Sequence, residues 1–421
     1  MKVNKDFFSN IISYLPVAVC LFLLAISVTY ISNYRDVWYA LTITFCVDFF
    51  YNKRYLSFKF DKIRIYYSVV FLFFCLFFIY QPFENSSTYS HLLLRNRICL
   101  SGLALCGFLG LNNKHKLSYY LNTIIISAVA SIIYLVFFKI GFLSFWEAEN
   151  KMAIFTPGRI EFINNHMVYN VYMNLAIVSI WYIVSNQYKM LQKWKVGLYI
   201  LSFLLIFGIL SISEGRSGFL MSLFILSCIS LKEVWKRNKY VTLIVIGILS
   251  IFVYNKVTHH QRISEEQIKG EPRLFLWETA KEVIMEAPIL GRGANDAQEA
   301  FNKARTESLD ETFKQFWQPT DFVDSHNQYI QTTMEFGIIG LCILLFIYFS
   351  PYFFAEKRRK IFSFFIITIL AFQSVFDMFI TGQFANLFMV CTFMILQCKD
   401  DISPKDNHIT KLRRNSSLLP Q

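Results

Sequence analysis

Charged side chains are scarce in this 421-residue chain. Asp, Glu, Lys and Arg together make up 17% of it, whereas hydrophobic residues make up 55%. A soluble domain of this length does not need so much apolar surface. Low-complexity linkers and internal repeats of about 20–50 residues are also lacking, which argues against a repeat architecture. The composition predicts an all-α polytopic membrane protein.

Cysteine is missing from the one long polar stretch, residues 256–326, although the chain has nine cysteines in or beside its apolar runs. A disulfide-stapled outer domain would place cysteines in that stretch. The adjacent residues His259 and His260 lack the i, i+4 spacing with which two histidines on a helix bind one metal ion. We therefore predict no metal site and no cofactor.

Long apolar runs make up most of the remaining chain. A helix needs roughly 20 apolar residues to cross a hydrocarbon core of ~30 Å, and this length gives about twelve candidate transmembrane helices. They are residues 11–32, 36–51, 65–81, 97–112, 119–138, 167–184, 196–213, 217–231, 240–255, 328–350, 361–381 and 384–398. The first run is too long for a cleavable signal peptide and is not followed by a small-residue cleavage site.

Lysine and arginine are concentrated in every second loop. With the N-terminus in the cytoplasm, the cytoplasmic segments hold 25 of them and the short outer loops hold seven. Cytoplasmic loops carry such an excess, so we expect both termini inside and residues 256–326 outside. Anionic lipid at the inner face accounts for the net charge of +12. No nucleic-acid partner is needed to explain it.

The long outer stretch, with 13 acidic and nine basic residues, has the pattern of a helical subdomain. Pro272 suits a first helical position, and Leu276, Ala280 and Ile284 form an apolar stripe that ends before Pro288. A second, weaker helix is expected at about 295–308. The chain is thus divided into transmembrane helices in 1–255, a loop subdomain at 256–327, transmembrane helices in 328–398 and a cytoplasmic tail at 399–421.

His326 stands where the outer stretch returns to the membrane. The sequence Ser325-His326-Asn327-Gln328 fits the S-x-x-Q capping box, in which Ser325 caps the following helix. His326 would then lie in the first helical turn, where the helix dipole disfavours a proton on the imidazole. A neutral histidine can act as a general base. The alternative is a histidine that only anchors the helix end at the interface.

Two arginines on the outer face are candidate anion-binding groups. Arg216 joins two apolar runs so tightly that its charge must lie near the hydrocarbon, which is costly unless it is paired or faces a wet cavity. Its guanidinium matches phosphate oxygens, although snorkelling to the interface or pairing with Glu214 would also explain it. Arg273, at the start of the first loop helix, is the second candidate, and a solvated surface charge is its alternative.

In order and spacing, these features resemble the bacterial O-antigen ligases and their relatives, the O-antigen polymerases and protein O-oligosaccharyltransferases. The resemblance is detailed over residues 160–345. It is carried by the turn at 213–218, by Arg273 with Trp277, and by the segments 326–329 and 335–340. It implies a GT-C-type glycosyltransferase architecture that acts on an undecaprenyl-pyrophosphate-linked glycan at the periplasmic face of the bacterial inner membrane.

The resemblance also implies roles for single residues. Arg216 and Arg273 would hold the donor pyrophosphate, and His326 would activate the acceptor hydroxyl, as the chemistry of a departing pyrophosphate and an attacking alcohol requires. No Asp-x-Asp-like pair occurs in the outer loops, which fits metal-independent transfer with inversion of the anomeric centre. Possible further site residues are Arg159, His166 and Arg292.

Several functions share this pattern. The first hypothesis is a ligase that transfers O-polysaccharide to lipid A-core within membrane lipid. O-antigen polymerases often have a glycine ten residues after an outer-loop arginine, which is absent here, and protein O-oligosaccharyltransferases differ in the acceptor. A transporter would need ionisable groups at mid-membrane, whereas Asp48 and Asp377 are expected near the ends of their spans.

Overall fold

The computed structural model describes residues 5–28, 34–79, 88–139, 141, 166–188, 190–212, 216–235, most of 238–251, 272–308, 323–380 and 385–402. Within these ranges the regular structure is helical, apart from one isolated bridge between Lys116 and Lys399. The all-α class expected from the sequence is confirmed for this part of the chain.

Thirteen longer helices can be delimited in the described ranges, and residues 239–251 contain further helical turns. The helices are α1 Lys5–Ile26, α2 Tyr34–Tyr51, α3 Lys62–Ile79, α4 Thr88–Leu109, α5 Leu117–Ile133, α6 His166–Gln187, α7 Lys193–Ile212, α8 Arg216–Trp235, α9 Pro272–Glu286, α10 Ala294–Ser308, α11 Gln328–Phe354, α12 Lys360–Gln373 and α13 Ala385–Leu396. Among the described residues, five helices are long and apolar enough to cross a membrane: α1, α5 with its extension to Lys139, α6, α7 and α11. This is the pattern of a multi-pass membrane protein.

Helices α6 and α13 form the centre of the bundle. α6 packs against α5, α7, α8 and α12, and 83% of its membrane-length segment is buried. All residues of α13 are buried, and none of them is charged. α11 contacts α3, α12 and α13 and also carries the loop helices α9 and α10. The helix that follows His326 is therefore fixed by both halves of the chain.

Asp48 is the centre of a polar cluster at one end of the bundle. Its carboxylate accepts hydrogen bonds from Asn52, Arg54 and Asn112 at 2.8, 2.9 and 3.0 Å. At the same end, Lys399 exchanges backbone hydrogen bonds with the α4–α5 connection. Several segments predicted to be cytoplasmic thus meet here, and Asp48 is bound into a structural cluster rather than lying in an open transport path.

The loop helices α9 and α10 have the bounds that the apolar stripe indicates. Leu276, Ala280 and Val283 of α9 pack with Ala297 and Phe301 of α10, and this small core continues onto α11 through Met334. Pro272 occupies the first position of α9, as expected from its fixed φ. The second helix is as long as the first, although the sequence indicated it more weakly.

α11 is broken at Gly337, and the turn between α9 and α10 fills the break. Gly337 has φ 61° and ψ −161°, so the backbone on either side loses its helical partners. The N–H groups of Arg292 and Gly293 donate to the carbonyls of Met334 and Glu335 at 3.0 and 2.8 Å. In return, Ile338 and Ile339 donate to the carbonyls of residues 288 and 289 at 2.9 and 3.4 Å. We call this reciprocal contact the Gly337 junction.

We predict that Gly337→Ala destabilises the protein. Its φ and ψ values lie in a region that only glycine enters readily, which costs roughly 1–3 kcal/mol for another residue. The added Cβ would also collide with the backbone of Ile289. The measurement is the thermal unfolding midpoint in detergent. Gly197→Ala is the matched control, because Gly197 lies on α7 with nothing within 4 Å. Equal midpoints for the two variants would contradict the prediction.

Candidate functional site

The start of α11 differs from the expected capping box. Asn327, not Ser325, is the N-cap, and its Oδ1 accepts the N–H groups of Tyr329 and Ile330 at 2.9 and 3.1 Å. Ser325 instead donates to the carbonyl of Asn327 at 3.0 Å. His326 therefore lies just before the helix, and the predicted position in its first turn is wrong. Any of several adjacent polar residues can cap a helix, so the pattern did not decide which one does.

Asp324 holds His326 at two points. Its Oδ1 accepts the backbone N–H of His326 at 2.8 Å and lies 3.2 Å from Nδ1 of the imidazole. The backbone of His326 is left-handed, with φ 46°, a conformation that costs a non-glycine residue about 1–3 kcal/mol. A carboxylate that accepts Nδ1–H leaves Nε2 with a free lone pair. The imidazole is 39% exposed at this position, so Nε2 can meet a substrate.

The turn after α12 is held against the start of α11 and brings Asp377 to the site. The backbone N–H of Gln328 donates to the carbonyl of Ser374 at 2.8 Å, and the side-chain oxygen of Gln328 accepts the N–H of Ile380 at 3.0 Å. The turn thereby brings the Asp377 carboxyl into electrostatic range of Asp324, His326 and Arg273.

Arg273 is positioned by α9. One turn along the same helix, Trp277 donates from its ring nitrogen to the carbonyl of Ser325 at 3.1 Å, which fixes this helix face against the segment preceding His326. The guanidinium of Arg273 lies 3.9 Å from the sulfur of Met167 and 5.7 Å from the ring centre of Phe376. A half-buried cation thus lies against the turn that carries Phe376 and Asp377.

Arg216 is the first residue of α8, and the start of this helix lies against the first turns of α6. Gly218 is in close contact with Asn170, and its carbonyl accepts the side-chain N–H of Asn174 at 2.9 Å. Met167, which Arg273 contacts, lies in the same region of α6. The backbone positions of Arg216 and Arg273 are therefore linked through one helix end. The side chain of Arg216 is outside the described structure.

The three further candidates are placed differently. Arg292 belongs to the Gly337 junction, and its guanidinium pairs with Glu286 on the exposed side of the turn. His166 is the first residue of α6, one position before the Arg273 contact at Met167, but its side chain is not described. Arg159 lies outside the described residues.

A buried polar network underlies the site. Arg97 of α4 forms an ion pair with Glu335 at 3.1 Å, and both side chains are essentially inaccessible, at 0% and 2%. Gln331 donates to Glu335 and to Gln298 of α10 at 3.1 Å each. Gln298 in turn donates to the carbonyl of Val323 at 2.8 Å. The segment that carries Asp324 and His326 is thereby tied to the bundle core.

Sequence reasoning overlooked Asp324 as a site residue and regarded Asp377 only as a carboxylate near a span end. The structure adds both to His326 and Arg273. Asp324 had a signal, since it stands two residues before His326 and can form a local side-chain bond. Asp377 had none, because only the tertiary contacts of Gln328 bring its turn to the site.

The arrangement combines a cation, a histidine with one ring nitrogen available, and two carboxylates at the N-terminal end of a membrane-length helix. Such a set can bind an anionic leaving group and remove a proton from a hydroxyl. Among the described residues, no group of three or more His, Cys, Asp or Glu side chains is arranged to hold a metal ion.

Comparison with known proteins relates the segment that contains Arg273, Asp324 and His326 to a described family. Residues 201–346 match the family model described as O-antigen ligase. This segment is thus similar to the O-antigen ligase family. The matched segment runs from α7 into α11 and includes Arg216, Arg273, Arg292 and His326, whereas Asp377 lies beyond it.

Two relatives carry related names. A protein of Rickettsia conorii named "Putative polysaccharide ligase" is 32% identical over 179 residues, which cover 40% of this chain and 41% of the relative. A protein of Rickettsia felis with the same name is 30% identical over 152 residues, covering 34% and 36%. The matches thus span less than half the length of either relative.

We predict that Glu335→Gln lowers the stability of the protein. The change leaves the buried guanidinium of Arg97 beside a neutral amide, and removing one partner of a buried ion pair costs roughly 3–5 kcal/mol. The unfolding midpoint in detergent is the measurement. Glu282→Gln, on the exposed face of α9, is the matched control and should have little effect. A midpoint for Glu335→Gln equal to that of the parent would refute the prediction.

Proposed function

We propose that this protein is an O-antigen ligase. It transfers O-polysaccharide from undecaprenyl-pyrophosphate to lipid A-core oligosaccharide at the periplasmic face of the bacterial inner membrane. The observation that carries the proposal is the cluster of Arg273, His326, Asp324 and Asp377, built by three segments at one end of α11. The similarity of residues 201–346 to the O-antigen ligase family supports the choice of donor class.

The reaction we propose is a single displacement. The acceptor oxygen attacks the anomeric carbon, its proton passes to Nε2 of His326, and the bond between that carbon and the pyrophosphate oxygen breaks. The pyrophosphate departs with the bonding electron pair, and the guanidinium groups of Arg273 and Arg216 stabilise its charge. Attack opposite the leaving group inverts the anomeric configuration. No nucleotide is consumed, since the donor already carries an activated bond.

In this mechanism the carboxylates position and balance the base. Asp324 keeps the proton of the neutral imidazole on Nδ1, so that Nε2 faces the acceptor. Asp377 lies near both His326 and Arg273 and contributes a negative charge that stabilises the protonated imidazole after proton transfer. Metal independence and the GT-C-type architecture are parts of the proposal that follow from the sequence resemblance.

The proposal is tested by deleting the gene in its host and examining lipopolysaccharide on a gel. A ligase predicts loss of O-chains from lipid A-core, with long glycan accumulating on the carrier. Single-unit chains on lipid A-core would indicate an O-antigen polymerase instead. Unchanged lipopolysaccharide would overturn both assignments and direct attention to a protein acceptor.

We predict that His326→Ala and Arg273→Ala each reduce transfer strongly. Loss of a general base typically lowers the rate about 10²–10⁴-fold, and Arg273→Lys should be intermediate because it keeps the charge but loses the guanidinium fork. The measurement is transfer from carrier-linked glycan to lipid A-core by the purified protein, with and without a chelator. Lys281→Ala, at an exposed position of α9, is the control. Full activity of His326→Ala would exclude its assigned role.

Asp324 provides a sharper test because the same oxygen makes both contacts with His326. Asp324→Asn keeps an acceptor oxygen for the backbone N–H and for Nδ1–H, whereas Asp324→Ala removes it. We expect Asp324→Asn to retain most activity and Asp324→Ala to lose about 10–100-fold in kcat with little change in KM, since misorientation of a catalytic group has an effect of this size. Equal kcat values for the two variants would argue against a positioning role.

A further inference from the structure

Large apolar side chains point outward from the last turn of α9 and from the turn that joins it to α10. Met285, Ile289 and Leu290 are 69%, 63% and 59% exposed, although they belong to the stretch that the sequence places outside the membrane. Single exposed apolar residues are common on protein surfaces, but a group of them marks an interaction surface. We call these three residues the apolar wedge.

The wedge adjoins the exposed face of α11. Residues 328–337 of this helix are mostly buried, but from Ile338 onward one face is open, and Ile338 and Ile339 are 49% and 47% exposed. The open face continues at helical spacing through Leu345, Phe346 and Phe349. Because α11 is a membrane-length apolar helix, this face lies against lipid. The Gly337 junction places the apolar wedge next to the N-terminal end of this exposed face of α11.

The backbone of the turn is suited to an apolar surrounding. Irregular backbone at membrane depth is tolerated only where its polar groups are bonded within the protein. Here the carbonyls of Pro288 and Ile289 accept from α11, and the N–H groups of Gly291, Arg292 and Gly293 donate to protein carbonyls at 2.8–3.0 Å. The apolar side chains can therefore enter hydrocarbon without carrying these polar groups in unpaired.

The charges that flank the wedge are arranged for an interface. Glu286 and Arg292 form an ion pair with each other, and their side chains are 57% and 36% exposed. Long charged side chains at the membrane boundary reach toward the headgroups while their stems lie against apolar surface. The pair thus marks the level at which the apolar wedge would leave the headgroup region.

We propose that the apolar wedge inserts into the acyl-chain region of the membrane leaflet on the side of the loop helices. The occupant of this surface is lipid, because the wedge is continuous with the lipid-facing side of α11 and its backbone is internally bonded. The insertion anchors α9 and α10 at the bilayer surface. It goes beyond the proposed transfer reaction and does not depend on it.

The test places a reporter at the wedge and at a control position. Of the nine free cysteines, Cys342 is the exposed one, so a Cys342→Ser parent serves as the labelling blank. Ile289→Cys and Glu282→Cys are each labelled with a nitrobenzoxadiazole fluorophore. The full-length protein is then reconstituted into phosphatidylethanolamine–phosphatidylglycerol vesicles, with and without phospholipid that carries a nitroxide on its acyl chain.

We expect the label at 289 to emit at shorter wavelength and to be quenched severalfold more by the nitroxide lipid than the label at 282. Equal quenching at the two positions would overturn the proposal. A blue-shifted label at 289 without nitroxide quenching would indicate contact with protein and would also overturn it. Leu290→Cys provides a second wedge position if Ile289→Cys does not fold. No step uses transfer activity, so failure here is distinct from failure of the ligase assignment.

Discussion

At the Gly337 junction, an interruption in α11 and the turn between α9 and α10 satisfy each other's backbone hydrogen bonds, and the site at the start of α11 depends on that exchange. A helix interrupted in a membrane protein leaves backbone donors and acceptors without partners. The turn at 288–293 supplies acceptors for Ile338 and Ile339 and donors for the carbonyls of Met334 and Glu335. The loop helices are thereby joined to α11 by backbone bonds rather than by side-chain packing alone.

A short series of contacts connects the Gly337 junction to the site and fixes the site's geometry. Glu335, whose carbonyl takes part in the junction, pairs through its side chain with Arg97 and accepts from Gln331. Hydrogen bonds of Gln331 and Gln298 then fix the segment that precedes α11, and the ring nitrogen of Trp277 donates to the carbonyl of Ser325. Arg273 lies one turn before Trp277 on α9, and His326 directly follows Ser325 in the chain. The cation and the histidine are thus placed by rigid elements, as a preorganised site requires.

The sequence was informative where a local pattern decides the structure. The stripe of Leu276 and Ala280 and the flanking prolines specified α9, and the all-helical class followed from composition. The N-cap of α11 was misassigned because Ser325 and Asn327 are equally good caps, and only the bond from Ser325 to the Asn327 carbonyl separates them. Asp377 was not recognised because its place beside His326 depends on the tertiary bonds of Gln328. Arg97 is the first residue of the candidate span 97–112, and nothing in its sequence neighbourhood indicates the distant Glu335 as its partner.

The Gly337 junction also limits how the protein can recover from mutation. A Cβ atom at Gly337 would meet the backbone of Ile289 and Leu290, and one at Gly291 would meet the backbone of Glu335 and Phe336. A crowded side chain can be relieved by trimming its neighbour, but a peptide group cannot be made smaller. Second-site suppressors of a change at either glycine should therefore not arise among the facing side chains. A selection for revertants would instead return the glycine codon itself or alter the length of the turn.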